Sequence, residues 1–151
     1  MSTRRVGEAP PWTRVEGALV ATARVVRRSY DDALQPIGVN LAEATVLAHL
    51  GSSGAMTQVE LARRIGTSKA RIGAHIDALQ AVGAVQRLPD PSDRRAWNVS
   101  LTASGHELWA ASVAVDRVVR RRLRNGFSRT EVELLDSMLT RVCQNLDDRS
   151  A

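Results

Sequence analysis

Basic side chains spaced as in a nucleic-acid contact surface occur in two short stretches of the chain. A guanidinium group donates hydrogen bonds from a planar fork, which matches a phosphate group or the edge of a guanine. We therefore expect both stretches to contact a polyanion. The basic side chains in question are Arg63, Arg64, Lys69, Arg71, Arg94 and Arg95.

The distribution of charge along the chain agrees with this expectation. The 21 basic and 16 acidic residues give a net charge of +5, and all of the basic residues except Lys69 are arginines. Residues 57–102 hold seven basic and four acidic side chains, so this segment carries +3 of the total. An excess of this size favours a polyanionic partner without requiring one, because solvated faces of proteins are often basic.

Several other classes of protein are disfavoured by the composition. Cys143 is the only cysteine among the 151 residues, so no intrachain disulfide can form and a reducing, cytoplasmic location is expected. The sequence contains no run of about 18 apolar residues, so no membrane span is predicted. The sequence has no glycine-rich phosphate loop and no nucleophile with a recognisable base, which predicts a protein that is not an enzyme and needs no cofactor. No metal site is predicted, because the histidines lack ligand spacing.

Apolar residues that recur at three- and four-residue steps predict six helices along the chain. Pairs of a capping residue and a glutamate three positions later mark the starts of three of them, at Asn40, Thr57 and Ser128. The period then changes at residues 85–88 and 97–101, which predict two strands joined by a turn rich in proline and aspartate. The expected fold is mainly α, with a small β-hairpin.

Two short helices joined by Gly66-Thr67-Ser68 and followed at once by a hairpin are typical of a winged helix-turn-helix, although any small helical core can show this spacing. A more specific signal is DPSDRR at residues 90–95, which leads to VSLTASG at residues 99–105. Together with residues 61–85, these motifs resemble the MarR family of bacterial transcriptional regulators. The order of the elements also matches this family over nearly the whole chain.

The resemblance implies a single domain in which residues 40–102 form the winged helix-turn-helix, while residues 12–35 and 103–148 form dimerisation helices. It further implies a homodimer that binds a pseudo-palindromic operator in double-stranded DNA. Most often in this family, such a protein is a repressor that a small aromatic or phenolic compound releases from DNA. In the last helix, an apolar seam suited to face another helix consists of Val132, Leu135, Leu139, Val142 and Leu146.

The second helix of the helix-turn-helix predicts which side chains face DNA. At about 100° per residue, Ile72, Ile76 and Leu79 share one side of this helix, which leaves the opposite side free for a groove. We expect Arg71 to contact a guanine edge, the Ala70 and Ala74 methyl groups to approach thymine, and the basic wing tip to reach the minor groove. We expect Ser68 and Lys69 at the start of this helix to contact phosphate, and Arg63 and Arg64 to contact the flanking DNA backbone, although each of these four is alternatively a solvated surface residue. The full predicted DNA-binding set is Arg63, Arg64, Thr67, Ser68, Lys69, Ala70, Arg71, Ala74, Asp93, Arg94 and Arg95.

This helix departs from the family pattern at Gly73 and Ala74, where many members carry Thr-Arg. The base contacts of relatives therefore cannot be carried over. Gly73 also weakens the helix by roughly 1 kcal/mol relative to alanine, unless a close approach to DNA or to the preceding helix requires it. This departure keeps open an alternative function, that of an architectural or anti-regulator protein that retains the fold without reading a specific DNA sequence.

An effector pocket is implied where the DNA-binding lobe meets the dimerisation region. Tyr30, His49 and Trp109 are the residues expected to line it, since aromatic rings stack on flat ligands. Core packing explains the same residues equally well.

Overall fold

The computed structural model describes residues 14–93 and 95–147, and this part of the chain contains six α-helices and a three-stranded sheet. The helices are α1 (Val15–Leu34), α2 (Leu41–Ser53), α3 (Gln58–Ile65), α4 (Lys69–Ala81), α5 (Ala103–Leu123) and α6 (Arg129–Asp147). The strands are β1 (Met56–Thr57), β2 (Val85–Pro89) and β3 (Trp97–Leu101). The predicted fold class is confirmed, while residues 12, 13 and 148 of the predicted dimerisation segments lie outside the described residues.

Reciprocal capping fixes where α2 and α6 begin. Asn40 Oδ1 accepts a hydrogen bond from the Glu43 amide at 2.9 Å, and the Glu43 carboxylate accepts from the Asn40 amide at 3.0 Å. The same exchange joins Ser128 and Glu131 at 3.2 and 2.7 Å, and these bonds lower the pKa of Glu131. Both capping boxes satisfy backbone amides that a helix start leaves without partners, as the sequence predicts.

The sheet is antiparallel, with strand order β1-β3-β2. In the hairpin, Val85 lies opposite Leu101 and Pro89 lies opposite Trp97. The third strand, β1, pairs Met56 with Val99 and is absent from the sequence prediction, because two residues are too few for an alternating pattern to appear.

The core lies among α1 to α4 and the inner face of the sheet. Its side chains are almost all aliphatic, as expected for a chain with 3% aromatic residues. Three of them, Ile72, Ile76 and Leu79, come from one edge of α4 and are at most 1% exposed. The most completely buried side chains are Leu34, Val46, Leu47, Leu61, Ile72, Ile76, Leu79, Val85 and Val99.

The chain divides between Val119 and Arg120 into two compact units. The first contains the core and the sheet, and the second contains α6, none of whose residues is buried. The division into a lobe and dimerisation segments stays a prediction. None of the helices in the described residues has the length and apolar character needed to cross a membrane.

A close backbone contact joins the sheet to α5. Thr102 Oγ1 accepts a hydrogen bond from the Gly105 amide at 3.0 Å and donates one to the Gly83 carbonyl at 2.6 Å. This cap places Gly105 so close to Ala84 that a Cβ atom on Gly105 would overlap the Ala84 carbonyl oxygen. Only glycine fits this approach without a backbone shift.

We expect Gly105→Ala to lower the free energy of unfolding by about 2 kcal/mol, because the overlap with backbone outweighs the roughly 1 kcal/mol gained in helix propensity. The measurement is chemical denaturation, compared with Glu107→Ala on the exposed side of the same helix, which should change stability by less than about 0.5 kcal/mol. A Gly105→Ala protein as stable as the parent would show that the contact is easily relaxed.

Candidate nucleic-acid interface

The α4 helix has a buried edge and an exposed face, as its sequence pattern predicts. Opposite Ile72, Ile76 and Leu79 lies a set of exposed residues that we call the reading face. Alanines dominate this surface, so most of it extends no further than Cβ. The reading face consists of Ala70, Arg71, Ala74, Asp77 and Ala78.

The start of α4 is capped by Ser68, whose hydroxyl accepts a hydrogen bond from the Arg71 amide at 3.2 Å. Lys69 is the first residue of the helix, where the positive end of the helix dipole favours phosphate. The Thr67 hydroxyl oxygen is buried and has no hydrogen-bond partner within the described residues, so it is not presented on this surface. DNA contact by these residues stays a prediction.

Gly73 leaves room for the side chain of Gln58, which belongs to α3, the helix that precedes α4 in the helix-turn-helix. A Cβ atom at Gly73 would lie 2.8 Å from Gln58 Nε2, and this nitrogen donates to the Lys69 carbonyl at 2.9 Å. The side chain of Gln58 therefore lies across α4 where residue 73 has no side chain. Of the two reasons considered for a glycine here, packing against the preceding helix is the one that the contacts support.

Two grooves border the reading face. The wing-side groove, of about 420 Å³, lies between α3, the start of α4 and the hairpin, and it brings together Lys69, Arg87 and Arg95. The α1-side groove, of about 690 Å³, lies between α1, α2 and α4 and is lined by Arg27 and Arg71 among others. Cationic side chains thus border the alanine surface on both sides.

The turn of the wing is organised by the Asp90 carboxylate. Its Oδ1 accepts hydrogen bonds from the Ser92 hydroxyl at 2.6 Å and the Ser92 amide at 2.7 Å, and Oδ2 accepts from Asn98 at 2.8 Å. These bonds lower the pKa of Asp90 to about 2. Asp93 Oδ1 accepts a hydrogen bond from the Arg95 backbone amide at 2.9 Å. Arg94 lies outside the described residues.

Arg63 and Arg64 both bind a carboxylate of their own helix. Thr57 caps α3 by accepting from the Glu60 amide at 3.2 Å, but the Glu60 carboxylate contacts Arg63 and Arg64 at 2.7 Å. The predicted capping box at Thr57 is therefore only half formed. Hydrogen bonds from the two guanidinium groups lower the pKa of Glu60 to about 2, so this carboxylate offsets part of the positive charge on α3.

Arg87 contacts the α4 helix, and the sequence prediction did not include it. It lies opposite Val99 in the hairpin, and its guanidinium group contacts Asp77 at 2.5 Å and Gln80 on α4. A charged residue on the same face of β2 as buried Val85 was the available signal, since residues two apart in a strand share a face.

The three residues predicted to line an effector pocket have different surroundings. The Tyr30 hydroxyl donates to Asp116 at 2.9 Å, and the Trp109 ring packs directly on Gly51. Tyr30 and Trp109 pack against the hydrophobic core, and all three residues are partly exposed. The residues that line the α1-side groove do not include any of the three. Their role in effector binding stays a prediction.

The histidines are not part of a metal-binding cluster among residues 14–93 and 95–147. His75 Nδ1 lies 4.0 Å from Glu43 Oε1, which places it at the border between α4 and α2. His106 lies beside Trp109, with 6.2 Å between the ring centres.

Comparison with known proteins gives consistent matches. The sequence model of the MarR family matches residues 37–96. The structure is similar to that of a probable transcriptional regulator from Pseudomonas aeruginosa, with 26% identity, a TM-score of 0.80, and 85% of this chain and 96% of that chain covered.

Two further structures have the same fold. A mutant of MarR from E. coli, complexed with operator DNA, is 23% identical, with a TM-score of 0.81 and coverage of 90% of this chain and 99% of that one. BpsR from Bordetella bronchiseptica, whose DNA binding is regulated by 6-hydroxynicotinic acid, is 20% identical, with a TM-score of 0.83 and coverage of 91% and 98%. Residues 37–96 thus match the MarR family model, and the fold of the chain is that of MarR-type transcriptional regulators.

Proposed function

We propose that the protein is a dimeric repressor that reads a pseudo-palindromic operator and is released from it by a small aromatic acid. The observation that carries this proposal is the reading face of α4, an exposed alanine surface with cationic side chains on both sides. Such a surface allows the helix to lie deep in the major groove while the surrounding cations bind phosphates.

Arg71 is the base-reading residue in this proposal. It is exposed in the first turn of α4, and a guanidinium group can donate two hydrogen bonds to guanine O6 and N7. Ala70 and Ala74 expose methyl groups that can pack on thymine. Because the remaining positions of the face are short, we expect few bases in each half-site to be read directly.

Lys69 and Arg95 supply the flanking contacts. They line the same wing-side groove, although one belongs to α4 and the other to the turn of the hairpin. We propose that Lys69 binds a phosphate at the start of α4 and that Arg95 enters the adjacent minor groove. Asp90 and Asp93 accept hydrogen bonds from the Ser92 and Arg95 amides, which hold these two residues in place for this contact.

Dimerisation through α6 is supported by the exposure of its apolar seam. Leu135, Leu139 and Leu146 are 42%, 40% and 69% exposed in the single chain. A row of leucines on a helix with no buried residue is stabilised when a second copy covers it. Two reading helices about 34 Å apart would then match successive major grooves on one side of the DNA.

Effector release is proposed by analogy with BpsR, whose DNA binding responds to 6-hydroxynicotinic acid. Two effector sites are considered. One is formed by the predicted residues Tyr30, His49 and Trp109, and the other is the α1-side groove. The groove is favoured because Arg27 and Arg71 both line it, and together they can bind a carboxylate. A ligand that binds Arg71 there would compete with DNA for the same guanidinium group.

Selection of binding sites from random double-stranded DNA tests the proposed function. We expect the parent to enrich a palindrome, Arg71→Ala to lose discrimination at one position in each half-site, and Arg95→Ala to weaken binding to all sequences with a salt slope smaller by about one. Arg129→Ala, on a 92% exposed side chain of α6, removes the same charge and serves as control. Failure of the parent to enrich any motif would favour the architectural or anti-regulator alternative.

The oligomeric state tests the role of α6. We expect the parent to sediment as a dimer at micromolar concentration and Leu139→Asp to sediment as a monomer, because the new carboxylate would be buried without a partner. Ser137→Asp introduces the same side chain about 200° around the helix and should leave the dimer intact. A monomeric parent would overturn the proposed seam.

Release of operator DNA by 6-hydroxynicotinic acid and by benzoic acid tests the effector site. We expect Ala42→Trp, which fills the α1-side groove, to raise the half-release concentration at least about tenfold, and His49→Ala to change it less than about twofold. The reverse pattern would place the effector at the predicted aromatic residues. If neither acid releases the parent, the proposed effector class is wrong.

A further inference from the structure

We infer that Arg87 determines DNA sequence specificity without touching DNA, by holding the Asp77 carboxylate away from the bases. This inference rests on the proposed function, in which the reading face of α4 enters the major groove. It adds a residue of the hairpin to those that decide which bases are accepted.

The contact is specific in its geometry. Arg87 extends from the middle of β2, and its Nη2 lies 2.5 Å from Asp77 Oδ1. Its Nη1 donates to Gln80 Oε1, three residues further along α4. A single guanidinium fork thus spans two side chains on neighbouring turns, so its orientation toward Asp77 is fixed by a second hydrogen bond.

Asp77 is the residue of the reading face that this contact controls. Its side chain is 68% exposed, whereas that of Arg87 is 28% exposed. Ala70, Ala74 and Ala78 end at Cβ, so Arg71 and Asp77 are the only members of this face with longer side chains. The direction in which Asp77 points therefore decides much of what the face presents to DNA.

A free aspartate on this surface would have its own base preference. Carboxylate oxygens accept a hydrogen bond from cytosine N4, and a contact of this kind contributes about 1–3 kcal/mol of discrimination. A carboxylate already bound by Arg87 has its charge neutralised and its nearer oxygen occupied. The pair consequently prevents a cytosine preference and reduces repulsion of the phosphates.

Gln58 of α3 contacts the start of α4, whereas Arg87 contacts residues near its end. Gln58 binds the Lys69 carbonyl at 2.9 Å and lies against Gly73, so α4 is held to α3 at its start and to β2 near its end. Because Gln58 and the buried edge of Ile72, Ile76 and Leu79 still hold α4, loss of the Arg87 contact would free the Asp77 side chain without releasing the whole helix.

Base preference profiles of four variants test the inference. Arg87→Met keeps an unbranched apolar stem and removes the charge, and we expect it to gain a preference for cytosine of about tenfold at one position in each half-site. The double variant Arg87→Met, Asp77→Ala should lose this gain. Asp77→Ala alone and Arg87→Lys should keep the parent profile, because the first has no carboxylate and the second retains a cation beside it.

A gain of preference cannot result from mere destabilisation, which distinguishes this role from a structural one. A folded Arg87→Met protein whose profile equals the parent profile, or that binds no DNA, would overturn the inference, and so would a cytosine preference that persists in the double variant. An Arg87→Lys protein that acquires the cytosine preference would overturn it as well. Because Arg87→Lys retains the positive charge, it keeps the inference testable if Arg87→Met fails to fold. A parent that selects no DNA motif would overturn the proposed function together with the inference.

Discussion

The burial of one aliphatic edge of α4 determines how this helix is oriented on the core. Ile72, Ile76 and Leu79 are at most 1% exposed, and removal of each such side chain from water contributes roughly 2 kcal/mol. The helix cannot rotate about its axis without exposing these residues. Its opposite face is therefore held outward, and the alanines of that face are displayed because their neighbours are buried.

The hairpin and α5 depend on a second constraint, the contact of Gly105 with the Ala84 carbonyl. It lies where β2 begins, so the wing extends from a point fixed against the first turn of α5. At the other end of the hairpin, the low pKa of Asp90 keeps its carboxylate charged throughout the neutral range. The stabilisation that it gives to the turn is present above its usual pKa and is lost only as the pH falls through about 2.

Local signals in the sequence predicted more than long-range ones. The caps at Asn40 and Ser128 and the end of α3 at Gly66, where φ is +71°, depend on residues within one turn and are found as expected. The strand β1 and the partners of Arg87 depend on residues more than ten positions apart or on another element, which periodicity cannot show.

The candidate site follows the same division. The exposed face of α4 follows from its helical period alone, so the positions that face outward were predictable. What each side chain contacts was not, since Glu60 binds Arg63 and Arg64 instead of completing its capping box. For the aromatic residues predicted to line an effector pocket, residue type alone did not show that the Trp109 ring packs on Gly51.

The alanine surface of α4 has a consequence for how such a regulator diverges. Alanine is the best helix former, and Ala70, Ala74 and Ala78 are exposed, so replacing any of them by a longer side chain costs little folding stability. Each replacement nevertheless adds a group that can meet a base edge. Under the proposed function, duplicated copies of this gene would acquire separate operators through one or two substitutions, with the core and the proposed α6 interface unchanged.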